Sequence, residues 1–146
     1  MIFLHSVGYD DKDLFRDTSY AAMSPDAMDN MLTESIAKSH EGKYFELFAV
    51  MDDTVCVGFV SLYETTPSVI SCGPEIKPQY RQKGYGYSAV RIALERANLM
   101  GYTKSIAQIR QDNTASIALH QKLGFTQYRS YTNKKGHPVL EFQKPL

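Results

Sequence analysis

The sequence has few cysteines, no long apolar run and no net charge, and each absence narrows the range of functions. Its 146 residues include two cysteines, Cys56 and Cys72, and both lie in apolar, strand-like runs. Two isolated thiols in such runs are typical of reduced core residues rather than of a disulfide framework or a metal site. The sequence therefore predicts no catalytic role for either cysteine.

Signals for secretion and membrane insertion are also missing. The opening MIFLHSVGYDD has no basic flank followed by a long apolar stretch, and no window approaches the roughly 18 apolar residues of a membrane span. The chain contains no internal repeat and no low-complexity segment. With 43% hydrophobic residues over this length, we expect residues 1–146 to form one globular domain that is cytoplasmic and has no membrane partner.

The formal net charge of zero conceals an uneven distribution of charge. Residues 1–75 carry 13 of the 16 acidic groups, whereas residues 76–146 carry 12 of the 16 lysines and arginines. Such asymmetry suggests a polyanionic ligand for the second half and a cationic one for the first. The alternative is that the two halves simply attract each other. A nucleic-acid partner is disfavoured because the basic half has no compact aromatic surface motif and the acidic half would repel phosphate.

The spacing of apolar residues predicts the order of helices and strands. Ser24 and Pro25 are typical of an N-cap and a first helical residue, and a shorter helix is expected before them, at about residues 12–22. The segment Asp52-Asp53-Thr54 predicts a hairpin between two β-rich runs. A further strand is expected at SVISCGPEI, then alternating helices and strands to the C-terminus. The pattern predicts an α/β (α+β) fold with a mixed sheet and helices on its faces.

The stretch RQKGYGYSAVRIALERANLMG, residues 81–101, places two glycines at the start of a well-defined helix. The first turn of a helix has unpaired, partly positive N–H groups, and Gly84 and Gly86 let a ligand approach them without a Cβ in the way. Arg81 and Lys83 add positive charge. The stretch therefore predicts a site for a pyrophosphate or similar anion. The alternative is that the glycines only make a tight turn.

Two motifs resemble those of a known family. Residues 81–86, RQKGYG, match the R/Q-x-x-G-x-G/A acetyl-CoA signature of the GCN5-related N-acetyltransferases, the GNAT family. Residues 112–125, DNTASIALHQKLGF, are similar to the family's second cofactor motif, an Asn-led helix that closes with Lys-x-Gly-Phe. The resemblance implies a single-domain GNAT-like fold over residues 1–146, with a mixed, mostly antiparallel sheet of about six or seven strands flanked by about four helices.

The same resemblance implies where acetyl-CoA binds as a co-substrate, with no metal involved. In this family the backbone N–H groups of the glycine loop hold the CoA pyrophosphate, and the end of a splayed strand pairs with the pantetheine arm. Pro74 and Pro78 suit that geometry because proline cannot donate a hydrogen bond to an adjacent strand. The cofactor-binding residues expected on this basis are Pro74, Ile76, Arg81, Gln82, Lys83, Gly84, Tyr85, Gly86, Asn113 and Ser116.

The second motif leaves two assignments open. Asn113 is the N-cap of its helix, a ligand of the CoA arm, or both. His120 stands where many family members have a tyrosine that protonates the leaving thiolate. A histidine with an ordinary pKa near 6.5 is mostly neutral at pH 7 and is a less obvious proton donor. The alternative for His120 is a partly buried polar residue beside the pocket. The tyrosines that could replace it as the donor are Tyr85, Tyr87, Tyr128 and Tyr131.

An amine acceptor arrives protonated and has to lose a proton before it attacks a thioester, so a base is needed near the splayed strand. Glu75 is the expected base, with Glu64 as the second candidate. The alternative is that Glu75 is a solvated surface carboxylate. Because no activated nucleophile is evident, and in line with the family, we expect direct transfer in a ternary complex.

The expected acceptor is a primary amine of a small molecule, a polyamine, or a protein N-terminus or lysine. The acidic residues of the first half favour a cationic acceptor, although solvated helix faces explain them equally well.

The main alternative function is a catalytically weak acyl-CoA-binding sensor or regulatory module, suggested by His120. Metal catalysis is disfavoured because the histidines and cysteines lack ligand spacing. Homodimer formation is left open. The acidic residues of the first half that would attract a cationic acceptor are Asp10, Asp11, Asp13, Asp17, Asp26 and Asp29.

Overall fold

A seven-stranded sheet organises the chain, and the computed structural model describes all 146 residues. Neighbouring strands follow the order β1-β2-β3-β4-β5-β7-β6 and are antiparallel except for the parallel pair β4 and β5. The predicted mixed, mostly antiparallel sheet is confirmed. The strands are β1 (Ile2–Ser6), β2 (Phe45–Asp52), β3 (Val55–Thr66), β4 (Val69–Ile76), β5 (Lys104–Arg110), β6 (Thr126–Thr132) and β7 (Pro138–Pro145).

Three α-helices and three 3-10 helices surround the sheet. Ser24 caps the first α-helix by accepting a hydrogen bond from the Ala27 N–H at 3.2 Å, as predicted. Where one helix was expected at about residues 12–22, the chain forms two 3-10 helices, because Asp17 between them has a left-handed φ of 64° that no helix accommodates. The α-helices are α1 (Pro25–Ala37), α2 (Tyr85–Leu99) and α3 (Thr114–Lys122), and the 3-10 helices are Tyr9–Phe15, Ser19–Ala22 and Pro78–Tyr80.

Each face of the sheet carries an apolar cluster. On the first face, α2 buries Val90 against sheet residues such as Val60. On the second face, the N-terminal 3-10 helices and α1 cover the sheet, and Phe15 stacks on Phe59 with ring centroids 4.4 Å apart. Burial of apolar surface on both faces holds the helices in place. None of the helices is long and apolar enough to cross a bilayer.

Strands β4 and β5 separate soon after they begin. Their parallel pairing covers only Val69–Ser71 and Lys104–Ile106, whereas β4 stays paired with β3 as far as Ile76. Beyond Ser71, one backbone edge of β4 therefore lacks a partner strand, and Pro74 in this stretch has no N–H to donate. The opening between β4 and β5 agrees with the splayed strand end expected from the sequence.

The end of β4 approaches β3 very closely at Gly58. The pairing of β2 with β3 shifts register beside this residue, which marks a β-bulge. A Cβ at Gly58 would lie 2.3 Å from the carbonyl oxygen of Glu75 and 2.8 Å from the Cα of Ile76. No side chain fits into that space, so the position of the end of β4 depends on glycine at residue 58.

Candidate functional site

The loop before α2 presents a row of free backbone donors. Gln82 and Gly84 have left-handed φ angles of 62° and 84°, and the first bond of the helix runs from the Ser88 N–H to the Gly84 carbonyl at 3.1 Å. The N–H groups of residues 82–87 donate to no acceptor in the protein. Six successive free donors at the positive end of a helix make a binding site for an anion.

These donors open into a groove of about 420 Å³. The groove lies between the end of β4, the start of α2 and α3, so it adjoins the opening between β4 and β5. Two cations, Arg81 and Lys122, line it, and no carboxylate does. The Lys122 ammonium also lies 5.0 Å from the centroid of the Tyr87 ring. The groove therefore suits an elongated ligand that carries phosphate.

The sequence-based cofactor residues gather in this groove with one exception. Lys83 is exposed in the same loop but is not part of the lining. The predicted residues that line the groove are Pro74, Ile76, Arg81, Gln82, Gly84, Tyr85, Gly86, Asn113 and Ser116. Tyr87, which the sequence analysis named only as a possible proton donor, also lines the groove. The lining residues that the sequence analysis missed are Tyr80, Ala115, Leu119 and Lys122. The sequence did contain a signal for Leu119 and Lys122, because they follow Ser116 at successive three-residue intervals along α3.

The two glycines of the loop act in different ways. A Cβ at Gly84 would meet nothing within 4 Å, so glycine is favoured there by the positive φ alone. A Cβ at Gly86 would lie 3.4 Å from Leu119 Cδ2, an ordinary contact, but it would project into the groove. Arg81 fixes the loop to the splayed strand because its Nε donates to the Ile76 carbonyl at 3.0 Å.

Tyr85, the first residue of α2, fixes the loop from its other side. Its hydroxyl donates to Asp52 Oδ2 at 2.6 Å, at the end of β2. This hydrogen bond is the main reason why the pKa of Asp52 is lowered, so the carboxylate stays ionised at neutral pH. The loop is thus held both to the β2–β3 hairpin and to the end of β4.

The start of α3 confirms one of the two roles considered for Asn113. Its Oδ1 accepts a hydrogen bond from the Ser116 N–H at 3.1 Å, so Asn113 is the N-cap. The residue also lines the groove, and its role as a cofactor ligand stays a prediction.

His120 lies on the buried side of α3 and is only 3% exposed. Its Nδ1 donates to the Ser116 carbonyl at 2.7 Å, and its ring packs edge-on against Phe125. A carbonyl only accepts, so Nδ1 carries the proton and Nε2 has the free lone pair. Burial lowers the pKa of His120, which favours the neutral ring. His120 is not among the residues that line the groove, and its role as a proton donor stays a prediction.

Glu75 lies on the second face of the sheet, which the N-terminal 3-10 helices and α1 cover, and it is half-buried there. Its Oε2 accepts a hydrogen bond from the Ser19 N–H at 2.6 Å, and its Oε1 accepts one from the Ser19 hydroxyl. The carboxylate is therefore held in place, and each oxygen keeps a lone pair for a further donor. The sequence contained no signal for Ser19, which is 56 residues away.

A second cavity of about 410 Å³ lies on the same face of the sheet as Glu75, which is not one of its lining residues. It is enclosed by the N-terminal 3-10 helices and the start of α1, and Tyr20, next to Ser19, forms part of its wall. Burial, together with the charge of Glu75, raises the pKa of Tyr20 to about 12. Arg16 and Lys12 line the cavity along with one carboxylate, Asp13.

Local contacts account for several of the acidic residues that were expected to attract a cation. Asp29 is paired with Lys12 at 2.5 Å, Asp11 accepts from the Gly8 N–H at 2.7 Å, and Asp17 accepts from Gln79 at 3.3 Å. These contacts favour the alternative explanation, in which the carboxylates stabilise the surface of the N-terminal segment.

No group of three or more His, Cys, Asp or Glu side chains is arranged to hold a metal ion. The two cysteines are buried and unpaired. Burial raises the pKa of Cys72 to about 12, which leaves it a protonated, unreactive thiol at neutral pH.

Sequence comparison with known proteins gives a match to a family model and a relative that is similar over a short stretch of the chain. Residues 6–126 match the family model described as "Acetyltransferase (GNAT) domain". Over 50 residues the chain is 38% identical to an L-methionine sulfoximine/L-methionine sulfone acetyltransferase of Pseudomonas aeruginosa. That stretch is 34% of this chain and spans 29% of the relative's length.

The fold is similar to those of several solved structures. RimL, a ribosomal L7/L12 alpha-N-protein acetyltransferase in complex with coenzyme A, superposes with a TM-score of 0.85 at 12% identity, covering 99% of this chain and 94% of that one. A spermidine N-acetyltransferase from Vibrio cholerae in complex with CoA and spermine gives a TM-score of 0.82 at 15% identity, covering 99% and 95%. At such identities the likeness concerns the fold.

Proposed function

The chain belongs to the acetyltransferase (GNAT) family and is an acyltransferase, and from that premise we propose that it transfers an acetyl group from acetyl-CoA to a primary amine. The observation that carries the proposal is the row of six free N–H groups at residues 82–87, beside a groove with two cations and no carboxylate. The proposed acceptors are an amine of a small molecule, a polyamine, or a protein N-terminus or lysine. The names of the relatives include an amino-acid derivative, a protein and spermidine as acceptors.

We infer that the loop holds the pyrophosphate of CoA through its free N–H groups, with Arg81 and Lys83 supplying opposite charge. The unpaired edge of β4 at Pro74 and Ile76 would receive the amides of the pantetheine arm. Asn113 and Ser116 would contact the arm from α3. The fit is supported by the groove, which joins the loop to the opening between β4 and β5.

When bound, acetyl-CoA supplies the acetyl group: the carbon–sulfur bond breaks, sulfur keeps the electron pair, and the amine nitrogen forms the new bond to the acetyl carbon. The chain also has to remove a proton from the amine. We propose that Glu75 accepts this proton, because its carboxylate is held by Ser19 at the splayed end of β4. The absence of an activated nucleophile in the groove supports direct transfer in a ternary complex.

His120 is the second catalytic candidate, as a donor to the leaving sulfur. Its buried neutral ring has Nε2 as an acceptor, so it would have to gain a proton before it could donate one. We infer that its main role is to support α3 beneath the groove, through Ser116 and Phe125.

We further propose that residues 1–146 act as one acetyltransferase domain, which is supported by a sheet that extends from Ile2 to Pro145. A cytoplasmic location is proposed from the sequence alone. The alternative function, a weakly catalytic acyl-CoA sensor, predicts tight CoA binding without turnover on any amine.

The proposal is tested by thiol release from acetyl-CoA across a panel of amines, amino acids, polyamines and peptides. The parent should turn over with at least one acceptor. Gly86→Glu, which places a carboxylate in the groove, should raise the KM for acetyl-CoA at least tenfold through like-charge repulsion and obstruction. Asn98→Glu adds the same charge at the other end of α2 and should leave this KM within twofold.

Two results would contradict the proposal. An unchanged KM in a folded Gly86→Glu protein would exclude the loop as the pyrophosphate site. Tight binding of CoA with no turnover on any amine would favour the sensor.

A further inference from the structure

Glu141 in β7 is a buried carboxylate at the centre of a side-chain cluster. The residue is 4% exposed. Gln108 Nε2 donates to its Oε1 at 3.0 Å, and Arg129 Nε forms an ion pair with its Oε2. Burial by itself would raise the pKa of Glu141, but hydrogen bonds from Gln108, Tyr128 and Arg129 outweigh it and lower the pKa, so the carboxylate is ionised.

A β-bulge in β6 brings two residues to Glu141. Gln127 pairs with Phe142, and the next paired residue, Arg129, lies opposite Glu141, so Tyr128 is the extra residue. Bulges of this kind redirect side chains and are common beside functional sites. Burying a charge is unfavourable unless it is compensated. Desolvation makes even a paired buried carboxylate unfavourable for stability, and a role in orienting Gln108 and Arg129 would explain why Glu141 lies there.

Glu141 determines which groups its two neighbours offer to a ligand. An ionised carboxylate only accepts, so the amide nitrogen of Gln108 has to face it and the amide oxygen is left free. Arg129 uses Nε for Glu141, and its guanidinium carbon lies 4.8 Å from the Tyr131 ring centroid. Both Nη groups have no protein partner, and the side chain is 57% exposed. The cluster thus presents one fixed acceptor and one fixed pair of cationic donors.

This cluster shares a face of the sheet with Glu75. Gln108 and Arg129 both lie opposite Glu141 in the strand pairing, so the three side chains point to one side. In the parallel pair, Ser71 lies opposite Ile106, and the alternation of side chains puts Gln108 on the same side as Glu75. Gln108 lies two residues beyond Ile106, the last residue of β5 that pairs with β4, so it stands at the opening between these two strands.

We propose that the acceptor is an amine that carries a carboxylate next to the amino group, such as a free α-amino acid. Arg129 binds the carboxylate through its two Nη groups, a geometry that matches a guanidinium to a carboxylate. The Gln108 amide oxygen accepts a hydrogen bond from the amino group, which Glu75 deprotonates. Because Gln108 and Arg129 bind the same carboxylate of Glu141, the two groups lie within the span of one amino acid.

The charges of this face disfavour a polyamine. Arg129 neutralises Glu141, and what it exposes is cationic. Arg110, on the same face, is paired with Asp112 at 2.8 Å. Apart from Glu75, the proposed base, a ligand with several ammonium groups therefore finds no free carboxylate on β4, β5, β6 or β7. The inference deepens the proposed acetyl transfer and rests on it.

The test compares L-leucine and L-methionine with their own carboxamides as acceptors in the thiol-release assay. The carboxamide keeps the amine and the side chain but removes the negative charge. It also has the lower amine pKa, so more of it is in the reactive form and a preference for the acid cannot come from amine protonation. We expect the parent to have a kcat/KM at least tenfold higher for the acid, mainly through KM.

Arg129→Gln should reduce this ratio to within twofold, without changing the KM for acetyl-CoA. The double variant Arg129→Gln with Glu141→Gln removes the unpaired buried carboxylate and should show the same loss, which separates recognition from misfolding. Arg110→Gln is the matched control and should keep the ratio. Calorimetric titration of L-leucine into protein saturated with CoA should show binding by the parent and at least tenfold weaker binding by Arg129→Gln.

Each outcome supports or overturns the inference. Equal rates for acid and carboxamide in the parent, or an unchanged ratio in Arg129→Gln, would overturn amino-acid recognition while leaving acetyl transfer intact. A preference for polyamines that Arg129→Gln enhances would do the same. A failure of the proposed function differs from both, since no amine would then be acetylated at all.

Discussion

Gly58→Ala is the substitution whose effect the structure specifies most sharply. The added Cβ would lie 2.3 Å from the Glu75 carbonyl oxygen, and real Cβ atoms essentially never approach closer than 3.0 Å. The obstacle is backbone, so the last residues of β4 have to move by at least 0.7 Å relative to β3. That movement shifts both the edge at Ile76 proposed for the pantetheine arm and the carboxylate proposed as the base.

The size of the effect follows from two terms. Overpacking of this kind costs about 1–3 kcal/mol of stability, and a protein of this size loses roughly 2–4 °C in Tm for each kcal/mol. A displacement of about 1 Å in a reacting group lowers turnover about 100-fold. Loss of one or two hydrogen bonds to the pantetheine arm should weaken CoA binding about tenfold.

The assay is calorimetric titration of CoA at a temperature well below the Tm of the variant, followed by measurement of turnover. Gly8→Ala is the matched control, because Gly8 has an extended φ of −133° and its added Cβ would lie 3.8 Å from the nearest atom, Asp11 Oδ2. The control should bind CoA within twofold of the parent. A folded Gly58→Ala protein with unchanged CoA affinity and turnover would refute the reasoning.

Two further predictions concern Glu75 and His120. Glu75→Gln should lower kcat about 100-fold with unchanged CoA affinity. Glu64→Gln should leave kcat within a fewfold of the parent, because the Glu64 carboxylate accepts a hydrogen bond from the Tyr102 hydroxyl instead. The reverse pattern would make Glu64 the base. The lowered pKa of His120 means that the unfolded chain gains a proton near pH 6.5 before the folded chain does, so stability falls as pH drops from 7 to 5. In urea unfolding, His120→Asn should reduce the pH dependence of the free energy of unfolding by up to about 1.4 kcal/mol per pH unit. The same pH dependence in the parent and the variant would show that the ring is not buried in its neutral form.

The parts of the fold that depend on neighbouring residues could be predicted from the sequence. The buried face of α2 follows from the spacing of Val90, Ala93, Leu94 and Ala97, and all four are buried. The N-cap was predicted at Ser24 and was one of the two roles considered for Asn113. Each side chain accepts a hydrogen bond from a residue three positions later, so the contact depends only on a short segment. The loop at Gly84 belongs to the same class, since a positive φ and free N–H groups are properties of a short segment.

The parts that depend on distant residues could not be predicted. The partner of Glu75 is 56 residues away, and Gln108 and Glu141 are 33 residues apart. Strand alternation predicts that a lone carboxylate such as Glu141 is solvated, and only the bulge at Tyr128 brings Arg129 over it. The helix expected at about residues 12–22 is absent because Asp17 adopts a left-handed φ. Aspartate tolerates this conformation, but its residue type alone does not determine it.

The hydrogen bond from Arg81 Nε to the Ile76 carbonyl couples the two ends of the groove proposed to bind CoA. The loop before α2 and the end of β4 do not shift independently, because Arg81 in the loop donates to the carbonyl of Ile76, the last residue of the strand. Nucleotide and pantetheine fragments should therefore bind cooperatively, each pre-ordering the place where the other docks. The binding free energy of the intact coenzyme would therefore be more favourable than the sum for its two separated fragments. Removing this hydrogen bond would let the loop and the end of β4 move independently and would abolish the cooperativity.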